Sequence, residues 1–335
     1  MTKSSYIVVL VCFAVSWSQP GDVSRLLDSA KICLANQQYS RADIALKTVL
    51  RFDPGNAEAA YLALASAQTK ILDYESYEID ADAFVASAKT TLENLDKSLW
   101  ARRGRDSMLC VFYMGNIQGG ISVMQAKLGN WPAAVESGAS SISAFKRVIK
   151  SSPTFYPAYL GLGIFNYYIG QNLTWLPFFQ DKRNEGIEQI RLSTKAEFPY
   201  SYVAKNSLCW ILIDRDEYRA ADSIASSVLA ELPANTMFVR LKARIALLQK
   251  DLPQATSWAK KLVGISEKRV PVNWSDLLSG YQILISASDT VGSKKECLAL
   301  CRKALAKHVP DMYARIPYVK KHLRYIADIQ KKYGG

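Results

Sequence analysis

The chain has 335 residues, 49% of them hydrophobic and 21% charged, and a mean hydropathy of −0.03. That is enough apolar material for one large domain or a repeat array with a continuous core, and it excludes an intrinsically disordered chain. The net charge of +12 is regional: from Arg240 to the C-terminus there are 19 Lys and Arg against 7 Asp and Glu, whereas the preceding residues hold 23 of each sign.

The N-terminus, MTKSSYIVVLVCFAVSWSQP, places Lys3 before an apolar run from Tyr6 to Val15 and the small residues Ser16 and Ser18 after it. This is the pattern of a secretory signal peptide over residues 1–18, cleaved after Ser18. A run of ten residues is too short to span a bilayer, which takes roughly 20. Val11 stands before Cys12, where a lipid-anchored start carries a small residue. The expected product is an exported protein, periplasmic or secreted, with residues 19–335 as one domain and no membrane span. Beyond Cys12, the cysteines are Cys33, Cys110, Cys209, Cys297 and Cys301. An odd number spread over a long chain is not a disulfide framework, so they read as small buried apolar residues. The sequons at Asn172 and Asn273 matter only in a eukaryotic secretory pathway.

From Asp22 to Phe52 the apolar residues recur at helical spacing in two segments, Leu26, Leu27, Ala30, Cys33 and Leu34, then Ala42, Leu46, Val49 and Leu50. Asp53-Pro54-Gly55-Asn56 is a turn signal, and a third helix starts at Ala57. The stretch from Ala65 to Met108 predicts helices that depart from a regular length, one of them over Asp80–Leu99. Arg102-Arg103-Gly104-Arg105 reads as an exposed turn. No strand alternation occurs, so the expected fold class is all-α.

The first helical pattern returns. Tyr39, Ala42, Asp43, Val49, Leu50, Pro54 and Asn56 recur as Tyr218, Ala221, Asp222, Val228, Leu229, Pro233 and Asn235, all at an offset of 179 without a gap. Ala255 follows Ala221 by 34 residues, a helix-turn-helix repeat period. With Tyr159, Leu162 and Gly163, these large and small packing positions resemble the tetratricopeptide-repeat superfamily, as an exported protein of bacterial type. The resemblance implies a right-handed superhelical solenoid of helix-turn-helix units, some of them irregular. One unit, opened by Gly129, Trp131 and Ala134, reaches its proline, Pro153, about two helical turns late. A final unit is outlined by Gly292, Cys297, Ala304 and Pro310. The segment 311–335, with Ile316, Val319, Leu323 and Ile326 on one side and Lys320, Lys321 and Arg324 off it, reads as a capping helix. A helix lying on an anionic membrane, as peripheral envelope association would need, is the alternative.

Nine of the 36 aromatic residues lie between Phe155 and Phe179. A family unit has a short turn where this chain has Gly170–Gln180, an apolar insertion with Trp175, Phe178 and Phe179, followed by Asp181, Lys182 and Arg183 at the next helix start. GIFNYY…LPFFQDKRNEGI is also similar, over about 30 residues, to the eukaryotic inclusion-body clearance proteins, a tetratricopeptide family. The charges at 181–183 are read as an internal salt bridge in preference to a binding turn.

No nucleophile elbow, phosphate loop or paired-histidine helix occurs. Gly161-x-Gly163 lacks the strand and third glycine of a dinucleotide site and reads as close helix packing. Cys297, Cys301 and His308 share a helix face but fit core positions, so neither metal nor cofactor is expected. The resemblance implies a concave face that holds peptides or partner helices. Asn206, Trp210, Arg240, Arg244 and Gln282 are expected on it, open to an acidic protein partner, with replacement of both arginines by Glu weakening capture without unfolding. A small-molecule or lipid carrier built on the aromatic loop is the alternative function. Export and the absence of a nucleic-acid module argue against DNA or RNA as partner.

Overall fold

The computed structural model describes residues 20–173 and 181–334. The signal-peptide residues, Trp175, Phe178 and Phe179 lie outside them. Among the described residues there are sixteen helices and no strand. They run as seven pairs, α1 (Pro20–Ala35) with α2 (Tyr39–Phe52), α3 (Ala57–Tyr74) with α4 (Tyr77–Leu99), α5 (Gly104–Lys127) with α6 (Trp131–Ser151), and α7 (Pro157–Leu173) with α8 (Arg183–Ser193). Then come α9 (Tyr200–Asp214) with α10 (Tyr218–Glu231), α11 (Thr236–Leu248) with α12 (Leu252–Glu267), and α13 (Trp274–Thr290) with α14 (Lys294–Leu305). The chain ends in α15 (Asp311–Ala314) and α16 (Pro317–Gly334).

The repeated residues set these boundaries. Ala42 and Ala221 are fully buried, which lets the two helices of a pair approach. Pro54 and Pro233 lie just beyond the ends of α2 and α10, where a residue without an N–H cannot prolong a helix. Asn56 and Asn235 then cap α3 and α11, their Oδ1 atoms accepting from the N–H of Ala59 and of Met237 and Phe238. The irregular units fall where expected: α4, α5 and α6 have 23, 24 and 21 residues against 14 for α2.

Gly163 and Gly186 bring α7 and α8 into backbone contact. A Cβ at Gly163 would sit 2.5 Å from Ile190 Cγ1 and 2.7 Å from the Gly186 carbonyl oxygen. The all-glycine contact therefore admits no side chain. Two expectations are corrected here. The segment expected as a loop from Gly170 is still helical to Leu173. The C-terminal segment is two helices, because Pro317 has no N–H to continue α15 and its fixed φ suits a first helical turn.

Each odd-numbered helix from α1 to α13 touches the next odd-numbered one, which puts them on the inner side of the curve, with the even-numbered helices outside. Helix α16 packs on both α13 and α14, the position of a further inner helix, and buries Val319, Ile326 and Ile329 there, with Ile316 buried just before it. It caps the array. Cys110, Cys209, Cys297 and Cys301 are buried free thiols, and Cys33 is a half-buried one.

Candidate functional site

The curvature brings the chain back onto itself after five pairs, so that α3 touches α13. Two interlocks, each joining residues 200 apart, hold this closure. In the first, Asn235, already capping α11, donates its Nδ2 to the Ala35 carbonyl at the end of α1 at 2.8 Å. Alongside it, the Thr236 N–H donates to Gln37 Oε1 at 2.8 Å. In the second, Asn273 caps α13 and donates Nδ2 to the Asp73 carbonyl near the end of α3 at 3.0 Å. Ser275 Oγ donates to the Tyr74 carbonyl at 2.7 Å, and Tyr74 Oη to that of Pro271 at 3.0 Å. In both, a capping asparagine serves its own helix with the oxygen and the neighbouring turn with the nitrogen. Carbonyls that a helix end leaves without partners are thereby satisfied.

A buried charge sits in the second interlock. The Asp73 side chain is 0% exposed, and Arg269, at 12%, holds it at 2.6 Å. Tyr39 Oη and Asn273 Nδ2 also donate to its carboxylate, at 2.8 and 3.1 Å. The Arg269 guanidinium lies 4.8 Å from the Tyr74 ring centre and 5.8 Å from that of Tyr39. Burial would lower the Arg269 pKa, but the Asp73 carboxylate beside it raises it above the usual arginine value.

Arg240 belongs to the same core and not to an open groove. Its side chain is 11% exposed and makes a 3.0 Å ion pair with Asp276, which is 1% exposed. Gln282 Oε1 faces Nδ1 of His322 on α16, which stacks edge-on with Tyr318. The cap thus covers the α13 side of the expected groove. Burial first, then the nearby charges of Lys321 and Arg240, lower the His322 pKa to about 4, so the ring is neutral near pH 7. Asn206 is half-buried with its Nδ2 enclosed, and Trp210 packs into the core around Leu208 and Phe238. Of the five residues expected to line a peptide groove, Arg244 alone is exposed.

Aromatic rings also join the inner helices. Tyr61 stacks on Tyr113 with ring centres 4.9 Å apart, while Phe155 and Tyr200 meet Phe112 edge-on at 4.9 and 5.5 Å. These rings come from α3, α5, the turn before α7, and α9, and belong to one hydrophobic core. Four of the five residues expected on a groove, Asn206, Trp210, Arg240 and Gln282, are thus half-buried among the helices. Replacing Arg240 by Glu would set two carboxylates against each other in the core, so the double arginine reversal would not spare the fold.

At the start of α8, Arg183 pairs with Asp181 through Nε at 3.0 Å and Nη2 at 2.6 Å. Asp181 also accepts from the Arg183 N–H at 3.0 Å, and the hydrogen bonds from Arg183 hold its carboxyl down at about 2. The internal salt bridge expected there is formed. Lys182 is exposed beside it. Among the described residues no group of three or more His, Cys, Asp or Glu could hold a metal ion, and no helix is long and apolar enough to cross a membrane.

No family model matches the chain, and no curated protein matches it by sequence. Solved structures of tetratricopeptide proteins do match its fold. A chain of the APC/C hetero-tetramer Cut9–Hcn1 is similar over 95% of this chain at 14% identity and a TM-score of 0.50, and this chain spans 57% of its length. The C-terminal part of a TPR repeat-containing protein from Cytophaga hutchinsonii is similar over 87% of this chain and 99% of its own, at 13% identity and a TM-score of 0.44. A tetratricopeptide repeat protein from Parabacteroides merdae is similar over 92% of this chain and 99% of its own, at 12% identity and a TM-score of 0.41. The fold is a tetratricopeptide-type helical solenoid.

Proposed function

We propose that this chain is an exported, non-enzymatic scaffold that binds a protein partner through its outer surface. The observation that carries this reading is the double interlock across 200 residues, which ties the first two pairs to the sixth and seventh and makes the solenoid a preformed body. A rigid body loses little conformational freedom on association, so outer-surface contacts translate efficiently into affinity.

The experiment is capture of partners by the tagged full chain from its own envelope or secretion fraction. Each co-eluting protein is then purified and titrated calorimetrically against the chain. Direct binary binding by one of them is expected, and absence of direct binding by all of them would refute the scaffold reading. N-terminal sequencing of the exported product checks the leader: Gln19 is the expected first residue, and a product starting at Met1 would refute cleavage.

A further inference from the structure

We infer that the face of α16 turned away from the core is the docking surface for an acidic segment of the protein partner; this rests on the scaffold reading above. Arg315, Lys320, Lys321 and Arg324 line one open hollow of about 500 Å³ together with Tyr325 and the single carboxylate Asp328. The spacing follows from the cap geometry. Ile316, Val319 and Ile326 turn inward, so Lys320, Lys321 and Arg324 fall on the opposite side, and Arg315 reaches the same hollow from the residue pair before Pro317.

None of these four cations makes an ion pair with a described residue, and a single carboxylate shares their hollow. Elsewhere in the cation-rich third, Arg240, Lys242, Arg269, Lys307 and Lys332 are all neutralised internally, by Asp276, Asp222, Asp73, Glu267 and Asp289. Part of the regional charge is thus absorbed in the body of the array, and this hollow gathers four of the cations that are not. Four like charges gathered there repel one another, and an incoming row of carboxylates relieves that repulsion. The two arginines offer planar forks that match carboxylates in bidentate fashion.

Shape and polarity favour an acidic peptide over a lipid surface. A helix lying on a membrane buries its apolar stripe in the headgroup region. In α16 that stripe is spent on α13 and α14, with Val319 and Ile326 both at 0% exposure. A concave, cationic hollow fits a protruding acidic segment better than a flat bilayer.

The test uses the full mature chain and a fluorescein-labelled glutamate decapeptide, followed by anisotropy at low and moderate salt. The K320E/K321E/R324E variant is expected to bind roughly tenfold or more weakly. A K146E/R147E/K150E variant reverses the same number of charges in the cationic hollow on α6 and is expected to stay within about twofold of the parent. All six positions are half-buried or exposed, and circular dichroism confirms that both variants remain folded. Equal loss in both variants, or no loss in either, overturns the proposal. So does tighter binding to phosphatidylglycerol vesicles or to duplex DNA than to the peptide. A partner identified by direct titration that still binds the α16 variant at parental affinity sinks this surface while leaving the scaffold reading standing. Selective peptide loss with no protein partner refutes the scaffold reading instead.

Discussion

Replacement of Asp73 by Ala removes the hub of the second interlock. The lost carboxylate accepts from Arg269, Tyr39 and Asn273 at 2.6, 2.8 and 3.1 Å, and all three are left facing one another without it. Arg269 is only 12% exposed, so its charge is not fully rehydrated. Removing one partner of a buried pair costs about 3–5 kcal/mol. Unfolding entropy of about 2.1 cal/mol/K per residue over some 310 residues makes that roughly 5–8 °C in melting temperature. Urea denaturation measures the loss. Amide exchange adds a readout specific to the closure, because protection should fall selectively at the starts of α11 and α13 and at the ends of α1 and α3. The D73A/R269A double variant should recover part of the loss, since the orphaned cation is gone. A loss below about 1 kcal/mol, or exchange unchanged at those four helix ends, would refute the reasoning.

Three other perturbations separate packing, capping and charge. Gly163→Ala should destabilise by about 1–3 kcal/mol because its methyl meets Ile190 and the Gly186 carbonyl, whereas Gly264→Ala, with nothing within 4 Å in α12, should stabilise by about 0.5–1 kcal/mol; chemical denaturation of the two should give opposite signs. Asn273→Ala should cost more than Asn56→Ala, by about 1–3 kcal/mol beyond the shared cap, because only Asn273 also serves the interlock. For His322, the folded value near 4 lies below the ordinary 6.5, so the unfolded chain binds the proton first. Its contribution is fully present above pH 6.5 and falls away toward pH 4, by about 3 kcal/mol in all. Denaturation from pH 7.5 to 4 should show that slope in the parent and a flatter one in His322→Gln.

The repeat was legible because its signals are local. Tyr39 with Ala42, Pro54 and Asn56 carries helix pairing, termination and capping within 18 residues, and the same set at Tyr218 repeats the same instructions. The close approach at Gly163 and the salt bridge at Asp181 and Arg183 were readable for the same reason. Arg240 was assigned to an inner helix correctly but to the wrong environment. Whether an inner face is a groove or a core depends on the curvature summed over five pairs, and no single residue states it. Asp73 and Arg269 gave no signal, since each is an ordinary charge until the turn brings them together. The break at Pro317 was visible and outweighed by the continuous apolar stripe on either side of it.

The central claim is that the solenoid closes on itself after five pairs, leaving the outer surface for partners. Paired spin labels at Asn36 and Ala234, both exposed and each next to a member of the Ala35–Asn235 bond, test it directly by dipolar distance measurement. The closed superhelix predicts a narrow distribution within about 20 Å, two Cα steps plus the label arms. A broad distribution centred beyond about 30 Å, as an open array of this length would give, would contradict it.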